Sequence, residues 1–205
     1  MKVLILNGSP HEKGTTYSAL SEVATVLNQN GIETEILTVG NKRVSGCMAC
    51  GGCAKSGKCV YNDVVNEIID KLTLADGLIV GSPVYYASAN GTLISILDRV
   101  FYGRKKFENK PAASVAVARR AGTTSTLDII NKYFLISNMP VVGSQYWNLV
   151  FGSNAEQTIE DKEGMQTMRT LGLNMAWLLK CINAGRKAGI NIPEKENVIR
   201  TNFVR

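Results

Sequence analysis

The sequence predicts a doubly wound α/β fold, in which helices cover both faces of one parallel sheet. Five short apolar runs with the pattern of buried strands alternate with amphipathic segments that have the period of helices. The alternation continues without a linker-like break, and 205 residues are enough for one well-packed domain.

The predicted strands are short and are bounded by polar or glycine-containing turns. The first, residues 2–7, is apolar and stops at Gly8-Ser9-Pro10, as a buried parallel strand does. Four further runs of the same kind occupy residues 32–39, 77–84, 112–118 and 140–150. Because helical patterns connect them, these strands are expected to run parallel in one sheet.

The predicted helices are identified by apolar stripes and by their end signals. The first covers residues 15–30, with Gly31 in the position that ends a helix. Asp63 is a candidate N-cap for the second, and a third surrounds residues 93–100. The last two cover residues 123–137 and 160–187. The core face of the last is predicted to comprise Met168, Leu171, Met175, Leu179 and Ile182.

The composition is that of an ordinary globular protein. Apolar residues make up 45%, charged residues 20%, and the mean hydropathy is zero, which excludes disordered, collagen-like and disulfide-dense chains. The net charge of +6 favours anionic partners such as phosphates or nucleic acid. However, the cations are dispersed, so nucleic acid is not expected. No apolar run is long enough for a membrane span or a secretory signal, and the predicted location is the cytoplasm.

Three loops of unusual composition follow the first, third and fourth predicted strands, where ligands bind in such folds. The first loop, residues 8–16, combines two glycines with the hydroxyls of Ser9, Thr15 and Thr16 at a helix start, which favours a phosphate. It matches neither a Walker A loop nor a G-x-G-x-x-G fingerprint, so ATP and a Rossmann-bound nucleotide are less expected. An ordinary helix-capping loop has the same composition.

The other two loops have features of a ring-binding site. Tyr85 and Tyr86 in residues 81–91 are paired aromatics that would stack on a flat ring or, alternatively, close the sheet as half-buried side chains. Residues 119–125 again combine cations, a glycine and hydroxyls at a helix start. Each loop is a weak signal alone, but all three are expected at one edge of the sheet.

At these positions the chain resembles the flavodoxin-like NAD(P)H-dependent FMN reductases, which include the iron–sulfur flavoproteins as a branch. The resemblance depends on four motifs, which are Leu6-Asn7-Gly8-Ser9-Pro10, Gly14-Thr15-Thr16, Val80-Gly81-Ser82-Pro83-Val84-Tyr85 and Asn90-Gly91 with Leu97-Asp98-Arg99. It covers most of the chain and weakens after about residue 151. It implies a flavodoxin-like fold. Together with the strand and helix patterns, it predicts a five-stranded, doubly wound sheet over residues 1–188, with a cysteine-rich loop at 46–61 and a polar tail at 189–205.

The resemblance also implies a set of FMN-binding residues. The phosphate would be held by Ser9, His11, Gly14, Thr15 and Thr16. The isoalloxazine would be lined by Pro83, Val84, Tyr85 and Tyr86, with Arg120, Ala121 and Gly122 at its other edge. No residue is identified as a catalytic acid or base, because the reaction chemistry belongs to the flavin.

Four of the five cysteines, Cys47, Cys50, Cys53 and Cys59, have the spacing C-x2-C-x2-C-x5-C. Thiolates in so tight a loop can surround one iron–sulfur cubane, and the motif is similar to that of the iron–sulfur flavoproteins. Zinc, thiol–disulfide chemistry and a loop without metal remain alternatives. Cys181 lies among apolar helix positions and is predicted to be a buried small hydrophobe.

The expected function is that of an FMN-dependent oxidoreductase, with a [4Fe–4S] cluster at the cysteine loop. The donor would be NAD(P)H or ferredoxin, and the acceptor a partner protein, a quinone or an oxygen species. The chain is expected to form a homodimer or homotetramer. Two alternatives are a flavodoxin-type electron carrier without a small-molecule substrate and a flavin reductase whose cysteine loop holds no metal. A third, a nucleic-acid-binding zinc protein, lacks a basic run with interleaved aromatics.

Overall fold

The computed structural model describes residues 1–103, 107–197, 199, 201 and 203 and confirms the doubly wound parallel sheet. The strands are β1 (Lys2–Asn7), β2 (Glu33–Thr38), β3 (Gly77–Tyr85), β4 (Ser88–Ala89), β5 (Ala112–Ala118) and β6 (Leu149–Phe151). The helices are α1 (Thr15–Gln29), α2 (Cys53–Ser56), α3 (Val64–Leu74), α4 (Gly91–Tyr102), α5 (Thr123–Ile136), α6 (Ala155–Glu160) and α7 (Lys162–Lys187).

The strand order β2-β1-β3-β5-β6 places the topological switch point of the sheet between β1 and β3. β2, the next strand along the chain, pairs with one edge of β1. The chain then crosses back through α3, and β3 pairs with the other edge of β1. At such a switch point the following loops diverge and leave room for a ligand. Asn7, at the end of β1, pairs with Thr38 on one side and with Gly81 on the other.

Two apolar cores hold the helices to the sheet. Val3 and Ile5 of β1 face one core with α1 and α7, whereas Leu4 and Leu6 face the other with α3, α4 and α5. Successive side chains of a strand point to opposite faces, so a strand covered on both sides is apolar throughout. This explains the continuous apolar run by which β1 was predicted.

The structure differs from the predicted elements beyond β5. The predicted strand at 140–150 is reduced to β6 and an isolated bridge between Ala112 and Val141. The predicted helix at 160–187 begins two residues later, after the separate helix α6. Asp161 breaks the two helices apart with a non-helical ψ of 82°. Its carboxylate accepts hydrogen bonds from the backbone N–H groups of Gly164 and Phe151 and so joins α7 to β6.

The prediction that Cys181 is buried is wrong, because its side chain is exposed on α7. Cys181 lies two positions after the buried Leu179, which turns it about 200° around the helix axis. Leu173 and Trp177 are exposed at the two preceding positions of the same stripe. No helix or strand occurs among the described residues from 189 onward, and the division between domain and tail at 188 stays a prediction. Within the described part of the chain, no helix combines the length and the apolar character that crossing a membrane requires.

Candidate functional site

The loop after β1 is held in shape by a buried side chain, Asn7. Its Oδ1 accepts a hydrogen bond from the Ser9 N–H (3.0 Å), and its Nδ2 donates to the His11 carbonyl (3.4 Å) and to Thr38 Oγ1 (3.3 Å). Ser9 Oγ in turn accepts from the His11 N–H (3.1 Å). The turn at 7–11 is therefore fixed from inside, while the His11 side chain lies exposed.

The start of α1 offers unused hydrogen-bonding groups. Gly14 occupies the N-cap position, no described side chain caps the helix, and the first turn contains no acidic residue. Thr16 Oγ1 is buried and has no hydrogen-bond partner among the described residues. A buried hydroxyl without a partner is costly, and free N–H groups at a helix start attract anions. These groups fit a phosphate, whose binding here stays a prediction.

The same loop is packed tightly against its neighbours. The Gly8 N–H donates to the Gly81 carbonyl of β3 at 2.8 Å. A Cβ at Gly8 would lie 2.6 Å from Leu93 Cδ2, and one at Gly40, just after β2, would lie 2.1 Å from the Gly8 carbonyl oxygen. The first loop is thus fitted between the ends of β2 and β3.

The loop after β3 presents an exposed aromatic surface. Tyr86 is fully exposed and has a positive φ of 56°, whereas Tyr85 is about half exposed. β4 turns back antiparallel on the end of β3, and Asn90 then caps α4 by accepting from the Thr92 N–H at 2.7 Å. Buried Ser82 Oγ accepts from the Asn90 N–H (3.0 Å) and fixes the base of this loop. The predicted alternative, in which both tyrosines close the sheet as half-buried side chains, does not describe Tyr86.

The loop after β5 contacts the loop after β3. Gly122 begins α5 with a φ of 89°, and a Cβ there would lie 2.7 Å from Val84 Cγ1 and 3.3 Å from the Ala87 carbonyl oxygen. As at α1, no described side chain caps α5. Arg120 and Ala121 are exposed beside this contact. The structure therefore brings the three predicted loops together in sequence, the first against the second and the second against the third.

The four clustered cysteines line one pocket. Its wall is shared with Met48, Gly51, Val60, Tyr61, Arg99 and Tyr102. Cys47 and Cys50 are exposed, Cys53 and Cys59 are half-buried, and all four are free thiols. Four thiols around one pocket are the donor set of an iron–sulfur or zinc centre. In the described part of the chain, however, no three His, Cys, Asp or Glu side chains converge closely enough to hold a metal ion as they stand.

Sequence reasoning did not assign Arg99, on α4, to this pocket. The Arg99 Nε and Nη2 groups each lie 3.2 Å from Cys59 Sγ, and Nη1 and Nη2 donate to the two carboxylate oxygens of Asp63 at 2.7 and 2.9 Å. Burial opposes the charge of the guanidinium, but the hydrogen bonds to Asp63 and Cys59 outweigh it, so the pKa of Arg99 lies above its ordinary value. The available signal was the Asp-Arg pair in the resemblance motif.

The two candidate sites are linked by α4. Asn90 at its start belongs to the loop after β3, whereas Arg99 and Tyr102 near its end line the cysteine pocket. At the usual rise per residue, Arg99 lies about 14 Å along the helix from Asn90. The cysteine pocket therefore lies near the C-terminal end of α4, and none of its lining residues belongs to the three loops.

Comparisons with known proteins show which family the chain is similar to. The family model of NADPH-dependent FMN reductases matches residues 1–154. The chain is 35% identical over 191 residues to an iron–sulfur flavoprotein of Methanocaldococcus jannaschii, with 89% of this chain and 99% of the relative covered. It is 31% identical over 193 residues to an iron–sulfur flavoprotein of Methanosarcina thermophila, with 91% and 99% covered.

Solved structures show the same fold at low sequence identity. RosB with bound 8-demethyl-8-formylriboflavin-5'-phosphate superposes with a TM-score of 0.70 at 16% identity, covering 99% of this chain and 92% of RosB. An archaeal flavodoxin gives 0.61 at 13% identity, covering 88% and 99%. The predicted flavodoxin-like fold is thereby confirmed. With its family-model match and its relatives of 31–35% identity, the chain belongs to the NADPH-dependent FMN reductase family, in the branch of the iron–sulfur flavoproteins.

Proposed function

We propose that this protein is an FMN-dependent oxidoreductase that passes electrons between a donor and an acceptor through FMN and an iron–sulfur cluster. The observation that carries the proposal is the edge formed by the loops after β1, β3 and β5, with two uncapped helix starts and the orphaned hydroxyl of Thr16. Bound FMN would supply two-electron chemistry, and the protein would supply position and electrostatics.

In this proposal the first loop binds the FMN phosphate. The free N–H groups at the start of α1 and the Thr16 hydroxyl would donate to the phosphate oxygens. The buried Thr16 Oγ1 would so gain the partner that the described residues do not give it. The proposed phosphate residues are Ser9, His11, Gly14, Thr15 and Thr16. Asn7 would act from behind, because it fixes the Ser9 and His11 backbone.

The other two loops would hold the isoalloxazine. Its proposed contacts are Pro83, Val84, Tyr85 and Tyr86 on one side and Arg120, Ala121 and Gly122 on the other. The contact of Gly122 with Val84 and Ala87 supports this, because it sets the spacing of the two loops without a side chain between them. Exposed Tyr86 offers an apolar face on which a flat ring would stack.

Cys47, Cys50, Cys53 and Cys59 would hold a [4Fe–4S] cluster. Their common pocket and the names of the relatives support this. Because no three of them converge as they stand, the exposed Cys47 and Cys50 would have to close toward Cys53 and Cys59 on loading. When bound, the cluster would exchange single electrons.

The partners and the assembly also remain proposals. The donor would be NAD(P)H or ferredoxin, and the acceptor a partner protein, a quinone or an oxygen species. A homodimer or homotetramer is supported by the exposed apolar side chains of Leu173 and Trp177 on α7. The cytoplasmic location predicted from the sequence stays a prediction.

The FMN proposal is tested by the substitution Thr16→Val with Ser21→Ala as the matched control. Both Thr16 Oγ1 and Ser21 Oγ are buried hydroxyls without a partner in the described structure, and they lie five residues apart on α1. Removing either orphan should leave the flavin-free protein equally stable or stabilise it, by up to about 1 kcal/mol. Only Thr16→Val should lower the affinity for FMN, by about 10-fold if one hydrogen bond to a charged phosphate is lost.

The measurement is quenching of FMN fluorescence on titration with flavin-free protein, combined with thermal unfolding. Failure of the wild-type chain to bind FMN would refute the proposal, and equal FMN affinity of the two variants would refute the role of Thr16. Stopped-flow mixing of the FMN-loaded protein with NADH, NADPH and reduced ferredoxin then identifies the donor. Reduction by ferredoxin alone would favour the flavodoxin-type carrier or a ferredoxin-linked enzyme.

A further inference from the structure

Arg99 is a buried, permanently charged side chain that the proposed flavin chemistry does not use. The residue is 3% exposed, on a helix whose other buried residues are all apolar. Burying a guanidinium is costly unless its charge is paired and all of its N–H groups are hydrogen-bonded. The surroundings of Arg99 therefore show what the fold uses this charge for.

All five N–H donors of the Arg99 guanidinium have partners, and every partner belongs to the segment that carries the cysteines. Nε and Nη2 donate to Cys59 Sγ, Nη1 and Nη2 donate to Asp63, and Nη1 also donates to the Ser45 carbonyl at 3.1 Å. The guanidinium carbon also lies 4.9 Å from the centre of the Tyr61 ring. Ser45 precedes the first clustered cysteine, and Asp63 follows the last. One side chain therefore ties both ends of residues 45–63 to α4.

Cys59 is also fixed through its backbone. Its N–H donates to Asn66 Oδ1 at 2.8 Å, and its carbonyl accepts from Asn66 Nδ2 at 3.0 Å. Asp63 has a second role as the N-cap of α3, where Oδ1 accepts from the Val65 N–H at 3.1 Å. Cys59 is thus held on both its sulfur and its backbone, whereas Cys47 and Cys50 are exposed. The segment is anchored at Cys59 and open at the other end of its cysteine motif.

We propose that Arg99 is the positioning residue of the cysteine segment: it holds Cys59 as a preformed anchor ligand and keeps its N–H groups on the Cys59 sulfur after the cluster is bound. The inference deepens the proposed function and depends on it for the cluster. Hydrogen bonds to ligand sulfurs are among the factors that set the reduction potential of iron–sulfur clusters. Arg99 would stabilise the extra negative charge of the reduced cluster and so raise its reduction potential.

The planar fork of arginine is required for this geometry. Lysine keeps the positive charge but has only three donors on one nitrogen, so it cannot serve Cys59, both oxygens of Asp63 and Ser45 together. Arg99→Lys therefore keeps the charge but disrupts the hydrogen-bonding fork, whereas Arg99→Met removes both. Arg169→Lys and Arg169→Met are the matched controls, because Arg169 forms a partly exposed ion pair with Glu22, between α7 and α1 and away from the cysteine segment.

The first test uses the full-length, metal-free protein and hydrogen–deuterium exchange over residues 45–63. Both Arg99 variants should exchange faster there than the wild type, whereas the Arg169 variants should not. Should Arg99→Met fail to fold, Arg99→Lys still carries the test, because it leaves the charge of Asp63 compensated. Exchange in Arg99→Lys equal to the wild type would overturn the anchoring role.

The second test uses protein reconstituted anaerobically with iron and sulfide. Relative to the wild type, Arg99→Lys should lose iron to a chelator about 10–100-fold more readily, as is typical when a group that orients a metal ligand is removed. Its cluster should also be reduced at a lower potential in a titration followed by electron paramagnetic resonance. A purely structural ion pair would change stability without shifting this potential.

The outcomes separate the inference from the proposed function. If the wild-type chain takes up no iron, the proposed cluster is refuted, and with it the proposed effect of Arg99 on the reduction potential. The hydrogen–deuterium exchange measurement then still decides whether Arg99 anchors residues 45–63. A wild-type chain that binds a cluster with the same potential and iron retention as Arg99→Lys overturns the inference and leaves the proposed function intact.

Discussion

Gly40 allows a sharp test of how the first loop is shaped. It is buried just after β2, and an alanine Cβ there would lie 2.1 Å from the Gly8 carbonyl oxygen and 2.4 Å from the Ser9 carbonyl carbon. Real Cβ contacts are essentially never shorter than 3.0 Å, so the two backbones would have to separate by about 0.9 Å. The obstructing atoms are main chain and cannot rotate away as the end of a side chain can.

The magnitude follows from the cost of overpacking, about 1–3 kcal/mol. If Gly40→Ala leaves the first loop in place, this cost appears as lost stability, about 3 °C in melting temperature for each kcal/mol in a chain of this size. If instead the loop moves away, the stability is largely retained and FMN binds more weakly. The affinity then falls between about 5-fold and about 150-fold. The lost free energy of unfolding and the lost free energy of FMN binding should together equal the overpacking cost of about 1–3 kcal/mol.

The assay is thermal unfolding of flavin-free protein together with FMN titration. Gly91→Ala is the control, because no atom of the described residues lies within 4 Å of its added Cβ and Gly91 is the first residue of α4. The control should match or exceed the stability of the wild type and bind FMN equally. A Gly40→Ala protein with both the stability and the affinity of the wild type would refute the steric reasoning.

Two further predictions concern the edge of the sheet and the cysteines. Lys71 and then Lys2 hold the pKa of Glu35 below its ordinary value by hydrogen bonding. The stabilisation of the folded state by ionised Glu35 should therefore be present above the unfolded-state pKa of about 4.3. It should disappear as the pH falls through the lower folded-state pKa. Urea unfolding should show Glu35→Gln to be about 1 kcal/mol less stable at pH 7 and equal to the wild type in acid; a gap that persists at low pH would contradict this. Cys53→Ser should lower the iron bound after anaerobic reconstitution, whereas Cys181→Ser, a change of an exposed thiol outside the pocket, should leave it unchanged; equal losses would count against the proposed ligand set.

Much of the fold could be predicted from the sequence because its central strands are apolar on both faces. The bounds of β1 and β5 and the N-cap role of Asp63 agree with prediction, since those signals are local. The pairing of β4 with the end of β3 could not be predicted, because a two-residue strand has no periodicity. The break at Asp161 is accompanied by a hydrogen bond from the Phe151 N–H to its carboxylate, a contact that only the folded chain brings close.

The candidate site was predictable in composition but not in its supporting contacts. Glycines and hydroxyls at strand ends marked the three loops, and cysteine spacing marked the pocket. The buried, unpartnered state of Thr16 depends on the packing of α1, and the role of Arg99 depends on residues 36 to 54 positions away. Cys181 was misjudged because neighbouring apolar residues do not show which side of α7 faces the sheet.

The attachment of the cysteine segment has a consequence for how such proteins can diverge. Between the end of β2 and the start of α3, residues 39–63 contribute to the apolar core beneath them chiefly through Val39, with Val44 and Cys59 at its margin. Shortening a surface connection has a small entropic effect, and the sheet register does not depend on this one. Beyond Gly40, which packs against the first loop, the segment is therefore attached at its ends, to α4 through Arg99 and to α3 through Asn66, and its length can change without moving the strands that carry the three loops.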